Sequence, residues 1–525
     1  MAVGGWRMRR LLTGALLLLG GLCSTHADDQ QEVWLVELLP RVHAAQLPAW
    51  PTTRVTSRAE RREQVAAFLQ ATVEPTQRHA ERVLRRYAEE SNAADAVTVE
   101  RLWIQNTLLV RWRRGRGDAQ TTMKRLQWLP GVHSVERDAP SGLSLLPVTT
   151  DNEEEEGRHR ADQREAVQTN VRLVHAPEVW DQVKARGDGV TVASIDSGVR
   201  YTHEALATTF RGYRGASNVT FDYSFWFKPG TDPSKETPDT ADEVGHGTHT
   251  VGTAVGGRGI GVAPGATWIA ARAFDIHGAV SHSDFLLATQ WALCPTKVDG
   301  SAKNCSLGAD VITGSFGVDR SDVATFKQWT WLTHALQVWR SAGSYAVFAS
   351  GNANGFKCGS VFYPASRPES VAVGALIGGS TLWGASGKGP GADDESDSGD
   401  VVKPDFVAPG AAIRSALSTG DSAYTRMTGT SMAAPHLTGL IALLLSIQQP
   451  HNKPCDVVKV LQETASHGLS KPFLVPSTCG GTRYDQYPNN IYGSGLPNVC
   501  NAATKAFSVA CHSTKTAMDT VVSVE

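Results

Sequence analysis

Apolar positions in the first part of the chain predict a short mixture of helices and strands. Ser57 to Glu90 is charged and rich in arginine, and its apolar residues recur at the spacing of one helix face. These apolar residues are Val65, Phe68, Leu69 and Val73. A second helix is predicted over Thr121 to Leu129. Strand-like runs occur at Val33 to Leu39, Trp103 to Trp112 and Val132 to Glu136. The order β, α, β, α, β predicts a small α+β domain of ferredoxin-like type over residues 28–146.

Two segments of the second part place polar residues at the ends of predicted elements. Residues 190–195 predict a short strand, which runs into Asp196 and a Ser-Gly turn. The functional crevice of an open α/β sheet lies beyond the carboxyl ends of its strands, where Asp196 would be. Downstream, the glycine-flanked His246 opens a run of small residues that predicts a tightly packed helix.

Ser431 stands just ahead of a strongly apolar run. Residues 440–445, together with Leu437, predict a buried helix with Ser431 at or near its N-terminus. The unpaired backbone N–H groups and the positive dipole at that end favour developing negative charge. A hydroxyl held there can attack a carbonyl group while neighbouring donors hold the oxyanion. Asp196, His246 and Ser431 are therefore candidates for an acid, a base and a nucleophile.

The three segments, in the order Asp, His, Ser, closely resemble the subtilisin-like serine peptidases, to which that chain order belongs. The resemblance covers roughly residues 171–510. Within the family, this chain is similar to the bacillopeptidase F-like branch at residues 176–180, 261–266, 290–292 and 403–410. The resemblance implies that Asp196 orients the base, His246 is the general base and Ser431 is the nucleophile. The segment Phe348 to Asn354 resembles the turn that presents an oxyanion-hole asparagine. This implies that role for Asn352, with the backbone N–H of Ser431 as its partner.

The resemblance also implies a fold class and a domain order. The fold class is α/β, with a subtilisin-like, mostly parallel, doubly wound sheet flanked by helices and preceded by the small ferredoxin-like domain. That first domain resembles a subtilisin propeptide of the inhibitor type, which would assist folding and then block the cleft; an unrelated accessory domain is the alternative. Residues 147–168 are acidic and polar, which predicts an exposed linker with a maturation cut within or just before it. The expected segments are a signal peptide at 1–27, a propeptide domain at 28–146, a linker at 147–170, a peptidase domain at 171–511 and a tail at 512–525.

Each candidate residue also has a plain structural interpretation. An Asp that follows a strand is commonly a turn residue, and Asn352 alone could be a turn former, because Asn tolerates left-handed backbone. His249 lies one helical turn after His246 and could be a packed helix histidine. His436 follows Ser431 by five positions, about 500° of helical rotation, so it should face away from Ser431 and be structural.

Composition and the N-terminus favour an exported globular protein. The chain has 525 residues, of which 41% are hydrophobic and 19% charged, an ordinary globular balance. The formal net charge of −2 gives no reason to expect a nucleic acid or an anionic membrane as partner. Three arginines before Leu11 to Leu22, followed by the small residues of Thr25 to Ala27, predict a secretory signal peptide. The apolar run is too short for the alternative, a membrane anchor. We therefore expect a secreted, extracellular monomer that does not contact a membrane after signal removal.

Seven cysteines would remain after Cys23 leaves with the signal, an odd number for an oxidising compartment. The expected pairs are Cys294–Cys305, Cys500–Cys511 and Cys455–Cys479, although sequence does not fix the connectivity. Cys358 is then left over. It is expected to be a buried, unreactive cysteine, with a free thiol near the active site as the alternative.

By the same resemblance, two uncharged segments would form walls of the first specificity pocket. They are Ser315, Phe316 and Gly317, and Ala349, Ser350 and Gly351. An extended peptide that adds a strand there gains main-chain hydrogen bonds whatever its side chains. The lack of charge predicts an apolar or broad preference for the residue before the cut bond. Members of the family more often have Asn and Trp where this chain has Gly314 and Phe316, a departure whose effect on the pocket the sequence does not define.

No cofactor is expected to be required for catalysis. Residues 392–400 form an acidic, insert-like run that is expected to be a solvated loop. Structural calcium is the alternative there, because carboxylate oxygens are the usual calcium ligands. No His/Cys spacing indicates catalytic zinc. Asn218 and Asn304 begin N-glycosylation patterns.

Together these patterns predict a secreted, propeptide-bearing serine endopeptidase that cuts polypeptides through an acyl-enzyme at Ser431, with its own propeptide as inhibitor. Two alternatives come from other classes. One is an inactive homologue that binds peptides, which a Ser431→Ala variant with unchanged biological activity would favour. The other is a surface interaction protein that acts through its N-terminal segment, which secretion of an unprocessed chain would favour.

Overall fold

The structure is a computed structural model that describes residues 31–48, 57–150, 166–215, 218–319, 330–353, 357–391, 401–447, 456–473 and 476–513. Four predictions fall outside these residues. They concern the signal peptide at 1–27, the acidic run at 392–400, the pairing of Cys455 and most of the tail after residue 511.

Residues 31–138 form an N-terminal α+β domain. Its elements are β1 (Gln31–Leu38), α1 (Arg58–Glu90), β2 (Val97–Leu102), β3 (Thr107–Arg113), α2 (Ala119–Gln127) and β4 (Val132–Arg137). The sheet order is β2-β3-β1-β4, and every neighbouring pair is antiparallel. This is the ferredoxin-like arrangement that the sequence predicts.

The predicted strand from Trp103 to Trp112 is wrong at its start. The structure has two strands in this region, because residues 103–106 form the turn of a β2–β3 hairpin. Asn106 takes the left-handed backbone that this tight turn needs, with φ of 51°. Its side-chain amide also donates to the carbonyl oxygens of Leu38 and Pro40, so the turn is bonded to the end of β1.

Helix α1 begins at a capping box. The Ser57 hydroxyl accepts from the Glu60 amide, while the Glu60 carboxylate accepts from the Ser57 amide. The helix is 33 residues long, and the apolar face predicted from Val65 and Val73 is buried. It therefore extends well past the width of a small four-stranded sheet.

The C-terminal domain, residues 166–513, is built on an eight-stranded, mostly parallel sheet. From residue 140 onward the strands are β5 (Pro140–Leu145), β6 (Thr149–Thr150), β7 (Thr191–Asp196), β8 (Phe225–Phe227), β9 (Thr267–Arg272), β10 (Ala279–Ser281), β11 (Val311–Gly314), β12 (Phe316–Gly317), β13 (Tyr345–Ala349), β14 (Val371–Ile377), β15 (Thr381–Leu382), β16 (Phe406–Pro409), β17 (Ile413–Ala416), β18 (Tyr424–Thr428), β19 (Thr478–Cys479) and β20 (Thr482–Arg483). The main sheet has the order β15-β14-β13-β11-β7-β9-β8, with β16 beside β14, and only β15 is antiparallel to its neighbour.

Helices cover both faces of this sheet. They are α3 (Thr169–Leu173), α4 (Ala176–Glu178), α5 (His246–Val255), α6 (His282–Leu293), α7 (Thr330–Ser341), α8 (Thr430–Ile447), α9 (Val457–Glu463) and α10 (Val499–Phe507). One core holds the apolar residues of α5 and α8, and a second core holds those of α6 and α7. The predicted doubly wound α/β fold is therefore confirmed. Helix α8 is long and apolar enough to cross a bilayer, but 94% of it is buried, so it is a core helix.

The segment that follows the N-terminal domain lies across the C-terminal domain. Strand β5 pairs antiparallel with β10 on one side and β12 on the other. Strand β6 pairs with β18, beside the start of α8. The predicted exposed linker therefore begins with residues 147–150 held against the second domain, while residues 151–165 lie outside the described part of the chain.

Candidate active site

Asp196 is the last residue of the central strand β7, and its side chain is 2% exposed. One carboxylate oxygen, Oδ1, lies 2.8 Å from His246 Nδ1 and accepts from the Ser197 amide at 2.7 Å. A carboxylate in this position holds one tautomer and one orientation of the imidazole ring. The strand end thus places a carboxylate beside His246, at the position where the sequence predicts the acid.

His246 is the first residue of α5, and the small residues after it let the helix approach β7 closely. A Cβ on Gly247 would lie 2.1 Å from the Gly198 carbonyl oxygen and 3.1 Å from Asp196 Cβ. Only glycine therefore allows the contact between this helix start and the Asp196 turn. The predicted small-residue helix is confirmed, and its packing sets the short Asp196–His246 distance.

A second buried carboxylate supports this pair. Asp242 Oδ1 accepts from the Ser197 hydroxyl and the Gly245 amide, and Oδ2 accepts from the amide and hydroxyl of Thr248. The Ser197 hydroxyl also accepts from the Gly247 amide. Asp242 therefore holds together the turn after β7 and the first turn of α5.

These charges act on the basicity of His246. Burial opposes protonation of the ring, but the charge and hydrogen bond of Asp196, with the charge of Asp242 beyond, outweigh burial and raise the pKa of His246. For Asp242 itself, burial raises the pKa, although its four donors pull in the other direction. His246 is thus held as a stronger base than a histidine in water.

Ser431 is the second residue of α8 and is fully buried. Within the described part of the chain, neither Ser431 Oγ nor His246 Nε2 has a hydrogen-bond partner. An unpartnered buried polar atom is costly in an ordinary core, and such atoms concentrate where a reaction needs them. The contact between Asp196 and His246 is therefore formed, while the Ser431 hydroxyl and the second ring nitrogen of His246 have no partner among the described residues.

Asn352 follows β13 and connects the helix start to the inter-domain segment. Its Oδ1 accepts from the amide and hydroxyl of Thr430, at 3.0 and 2.7 Å, which orients the amide group. Its Nδ2 donates to the Pro147 carbonyl oxygen at 2.7 Å. Val148 lies beside Gly429, since a Cβ on that glycine would be 3.2 Å from Val148 Cγ1. The peptide unit between Pro147 and Val148 thus lies next to the start of α8.

The segment before Pro147 occupies an extended cleft by main-chain pairing. The Leu146 amide donates to the Ser315 carbonyl at 3.1 Å, and the Leu145 amide donates to the Gly278 carbonyl at 3.0 Å. Strand β12 adds the register Phe316 with Leu145 and Gly317 with Ser144. This cleft accepts a polypeptide backbone irrespective of most side chains.

The predicted pocket residues divide into backbone and wall contributions. Ser315 and Gly317 contribute through their backbones, and Gly351, with φ of 109°, lies against the Phe362 ring. Phe316 also contributes only backbone, because its ring is buried among Phe274, Phe285 and Phe348. The side chains of Ala349 and Ser350 are buried as well.

Comparison with known proteins gives this architecture a family. The model of the subtilase family, Peptidase S8, matches residues 187–495. This chain belongs to the subtilase family. It is 33% identical over 353 residues to bacillopeptidase F of Bacillus subtilis (strain 168), which covers 65% of this chain and 22% of that relative.

Two further relatives carry protease names. An extracellular protease of Xanthomonas campestris pv. campestris is 29% identical over 415 residues, covering 75% of this chain and 63% of that protein. Subtilisin-like protease 6 of Trichophyton equinum is 32% identical over 287 residues, covering 54% and 58%. This chain thus spans less than two thirds of the length of each of these curated relatives.

The other two histidines of the subtilase motifs have structural contacts. His249 Nε2 bonds the Ile413 carbonyl at 2.9 Å, and burial lowers its pKa to about 3. His436 bonds the Met432 carbonyl through Nδ1 and the Asn170 amide through Nε2. Burial lowers the pKa of His436 to about 4, so both rings stay neutral at ordinary pH. They are packed histidines, as the sequence analysis expects of His436.

Sequence reasoning missed three contributors to this subtilase site. Asp242 stands four residues before His246, inside a turn with no pattern of its own. Thr430 precedes the serine as an ordinary helix-start residue. The third is strand β10 with Gly278, whose only signal is a short β-prone run after a glycine.

The predicted disulfides Cys294–Cys305 and Cys500–Cys511 are confirmed. The prediction for Cys358 is wrong, because Cys358 pairs with Cys479, 121 residues later, which also removes the predicted Cys455–Cys479 pair. Tertiary contacts bring these segments together: the Gly359 amide donates to the Gly389 carbonyl, and Gly480 lies against Pro390. Local spacing cannot reveal such a pair. Among the described residues, no group of three or more His, Cys, Asp and Glu side chains could hold a metal ion.

Proposed function

We propose that this subtilase is a secreted serine endopeptidase that hydrolyses peptide bonds of polypeptides. Asp196, His246 and Ser431 would be its acid, base and nucleophile, and Asn352 its oxyanion-hole donor. The 2.8 Å contact between Asp196 and His246 supports this assignment, as do the unpartnered Nε2 and Oγ atoms in the described structure.

In this proposal, Ser431 Oγ attacks the carbonyl carbon while His246 Nε2 takes the hydroxyl proton. Asn352 Nδ2 and the Ser431 backbone N–H hold the oxyanion, and the start of α8 adds its positive dipole end. His246 then gives its proton to the leaving amine, which leaves an acyl-enzyme. Water, deprotonated by His246, hydrolyses the ester and restores the hydroxyl.

The observation that carries the proposal is the 2.7 Å contact from Asn352 Nδ2 to the Pro147 carbonyl. The chain presents one of its own carbonyl groups to the expected oxyanion donor. Strands β5 and β6 hold it there on both sides. This arrangement supports an autoprocessed zymogen in which residues 28–146 act as propeptide and inhibitor.

The bond presented in this way is the one between Pro147 and Val148. We therefore propose that maturation cuts there and that the mature protein begins at Val148. The neighbouring bond between Leu146 and Pro147 lacks an amide N–H, and its carbonyl is not the one that Asn352 contacts. Residues 145–147 are all apolar, which supports an apolar or broad preference before the cut bond.

A fluorophosphonate probe applied to the secreted, purified protein tests the proposal, with Ser431→Ala as the control. We expect labelling of a fragment that begins at Val148 and no labelling of the variant, which should stay uncut. No labelling of a chain that is correctly cut and freed of its N-terminal domain would overturn the peptidase assignment. A labelled product that begins at Pro147, or before Val132, would overturn the assigned bond.

The proposal also covers the location of the protein, its oligomeric state and its need for a cofactor. Secretion is supported by the predicted signal peptide and by relatives named as an extracellular protease and a cuticle-degrading serine protease. We propose a monomer without a required cofactor, with calcium at residues 392–400 as the open alternative. Measuring activity after chelation with EGTA, and after readdition of calcium, tests the ion directly.

A further inference from the structure

Helix α1 contributes to two separate cores. Its second half, with Ala80, Val83, Leu84 and Ala88, packs on the sheet of the N-terminal domain. Its first half, with Val65, Ala66, Leu69 and Val73, is buried in the same core as helices α6 and α7 of the C-terminal domain. We define the anchor half as residues 58–73 of α1. It belongs to the N-terminal domain by sequence, and the core it packs into is shared between strands of that domain and the C-terminal domain.

Arginines of the anchor half enter a polar recess of the C-terminal domain. Arg62, with a side chain only 4% exposed, pairs with Asp310 at 2.8 Å. It also donates to the carbonyl oxygens of Cys305 and Ser306, both at 3.1 Å. Arg58 reaches the same Asp310 oxygen at 2.8 Å. The recess therefore matches a guanidinium group, which presents several N–H donors in a fixed plane.

The loop that contains residues 305–308 packs closely around the Arg62 side chain. A Cβ on Gly308 would lie 2.0 Å from the Leu293 carbonyl oxygen and 2.8 Å from Arg62 Cδ. Next to it, Glu63 accepts from the Ser306 amide at 2.8 Å. The Cys294–Cys305 disulfide closes the loop that supplies these groups.

Asp310 carries a full charge in this recess. Burial favours the neutral acid, but Arg62 and Arg58, with the Thr191 amide on Oδ2, hold the pKa of Asp310 below its usual value. Removing one partner from such a buried pair leaves the other charge uncompensated, which is far costlier than losing an exposed pair. Arg62 is therefore the residue on which this contact depends most.

The recess lies at the opposite end of the sheet from the cleft. Asp310 immediately precedes β11, and its partner Thr191 begins β7, whereas Asp196 ends β7. A cut between Pro147 and Val148 separates the cleft segment from the C-terminal domain covalently. That cut leaves every contact of the anchor half intact.

We propose that the anchor half is a docking element that keeps the N-terminal domain bound after the cleft bond is cut, with Arg62 and Asp310 as its decisive pair. The recess is thus a specific surface whose partner is the arginine-bearing start of α1. The inference rests on the proposed function for the cut itself. Processing and retention are separate events, because they depend on opposite ends of the sheet.

Retention can be measured on the full chain with a C-terminal affinity tag. After processing, the protein is immobilised and diluted, and loss of the cut N-terminal domain is followed with time. We expect Arg62→Gln to speed this loss at least tenfold, and Arg58→Gln, whose side chain is 24% exposed, to speed it less. Arg85→Gln is the matched control, because Arg85 pairs only with Glu81 on the same helix among the described contacts, and it should behave as wild type.

An Arg62→Gln protein that is cut normally and retains its N-terminal domain as long as wild type would overturn the anchor and leave the peptidase proposal standing. If wild type is never cut, the proposed function fails, but the anchor is still testable. A foreign protease site at Glu153 to Glu156, in a Ser431→Ala background, then supplies the cut, with the same expected order of loss rates. If Arg62→Gln does not fold, Arg58→Gln carries the test, and an unchanged loss rate there overturns the anchor.

Discussion

The N-terminal domain meets the C-terminal domain over its sheet, with the Trp103 amide bonded to Gln290, and in two further regions that use different chemistry. In the cleft, residues 140–150 are held mainly by backbone pairing with β10, β12 and β18. At the other end of the sheet, the anchor half of α1 is held by buried arginines and by apolar side chains. The first contact is largely independent of side chains, and the second depends on them.

Because of this difference, the two regions differ in whether another polypeptide can replace the segment bound there. Any extended polypeptide can reproduce the main-chain bonds of the cleft, so a substrate can replace the segment that fills it. Few other chains would supply two arginines and an apolar helix face at the right spacing. Competition by substrate should therefore empty the cleft without emptying the recess.

The substitution with the largest expected effect abolishes the reaction and leaves the cleft contact and the anchor contact in place. Ser431→Ala should lower peptidase activity by about 10⁶-fold, the size measured for this change in subtilisin, and should keep the chain uncut. Electrophoresis and probe labelling measure both. Ser446→Ala, later on the same helix, is the control, because its hydroxyl bonds only the Leu443 carbonyl among the described contacts. Processing that persists in Ser431→Ala would show that another protease makes the cut.

Each of the two disulfides near these regions should affect only one of the two regions. Cys294–Cys305 closes the recess loop, whereas Cys358–Cys479 ties down the chain that follows Asn352. Serine replacements of the first pair should speed loss of the cut N-terminal domain, and those of the second should slow processing. The chain-entropy model gives a stability loss of about 3 kcal/mol for the 11-residue separation and about 5 kcal/mol for the 121-residue one. Denaturant unfolding measures these values, and equal effects on both readouts would contradict the separation.

Asn352→Ala should impair the cleft end alone. Losing one oxyanion donor costs about 10²–10³ in rate, a value measured in subtilisin. Processing should slow by that factor, while retention of the N-terminal domain by the anchor half stays unchanged. Timed electrophoresis after refolding follows the cut. A loss of retention equal to that of Arg62→Gln would mean that the two ends are coupled.

The parts of this molecule that sequence could predict are those determined by one segment. The apolar runs around Asp196, His246 and Ser431 fix a strand end and two helix starts, and the structure has each element where the pattern predicts it. The catalytic roles of these residues stay predictions. Strand β2 was missed because its alternation runs without a break into the hairpin turn at residues 103–106.

The contacts that the sequence could not predict join segments that are far apart in the chain. Arg62 and Asp310 are 248 residues apart, and each looks like an ordinary surface charge in its own segment. The partner of Cys358 was hidden for the same reason. The long α1 was predicted, but its division between two cores depends on how the domains pack, which no helical periodicity contains.

The smallest expected effect is a change in the pH dependence of the reaction at the cleft end, with every reacting group still present. The base must be neutral to accept the Ser431 proton, so kcat/KM should rise with pH through the pKa of His246. Asp242→Asn removes a negative charge that helps to raise this pKa, so the acid limb should move to lower pH. Asp239→Asn, whose side chain is 79% exposed, is the control and should leave the limb in place. An acid limb that does not move in Asp242→Asn would mean that Asp242 is already protonated there, since burial alone favours its neutral form.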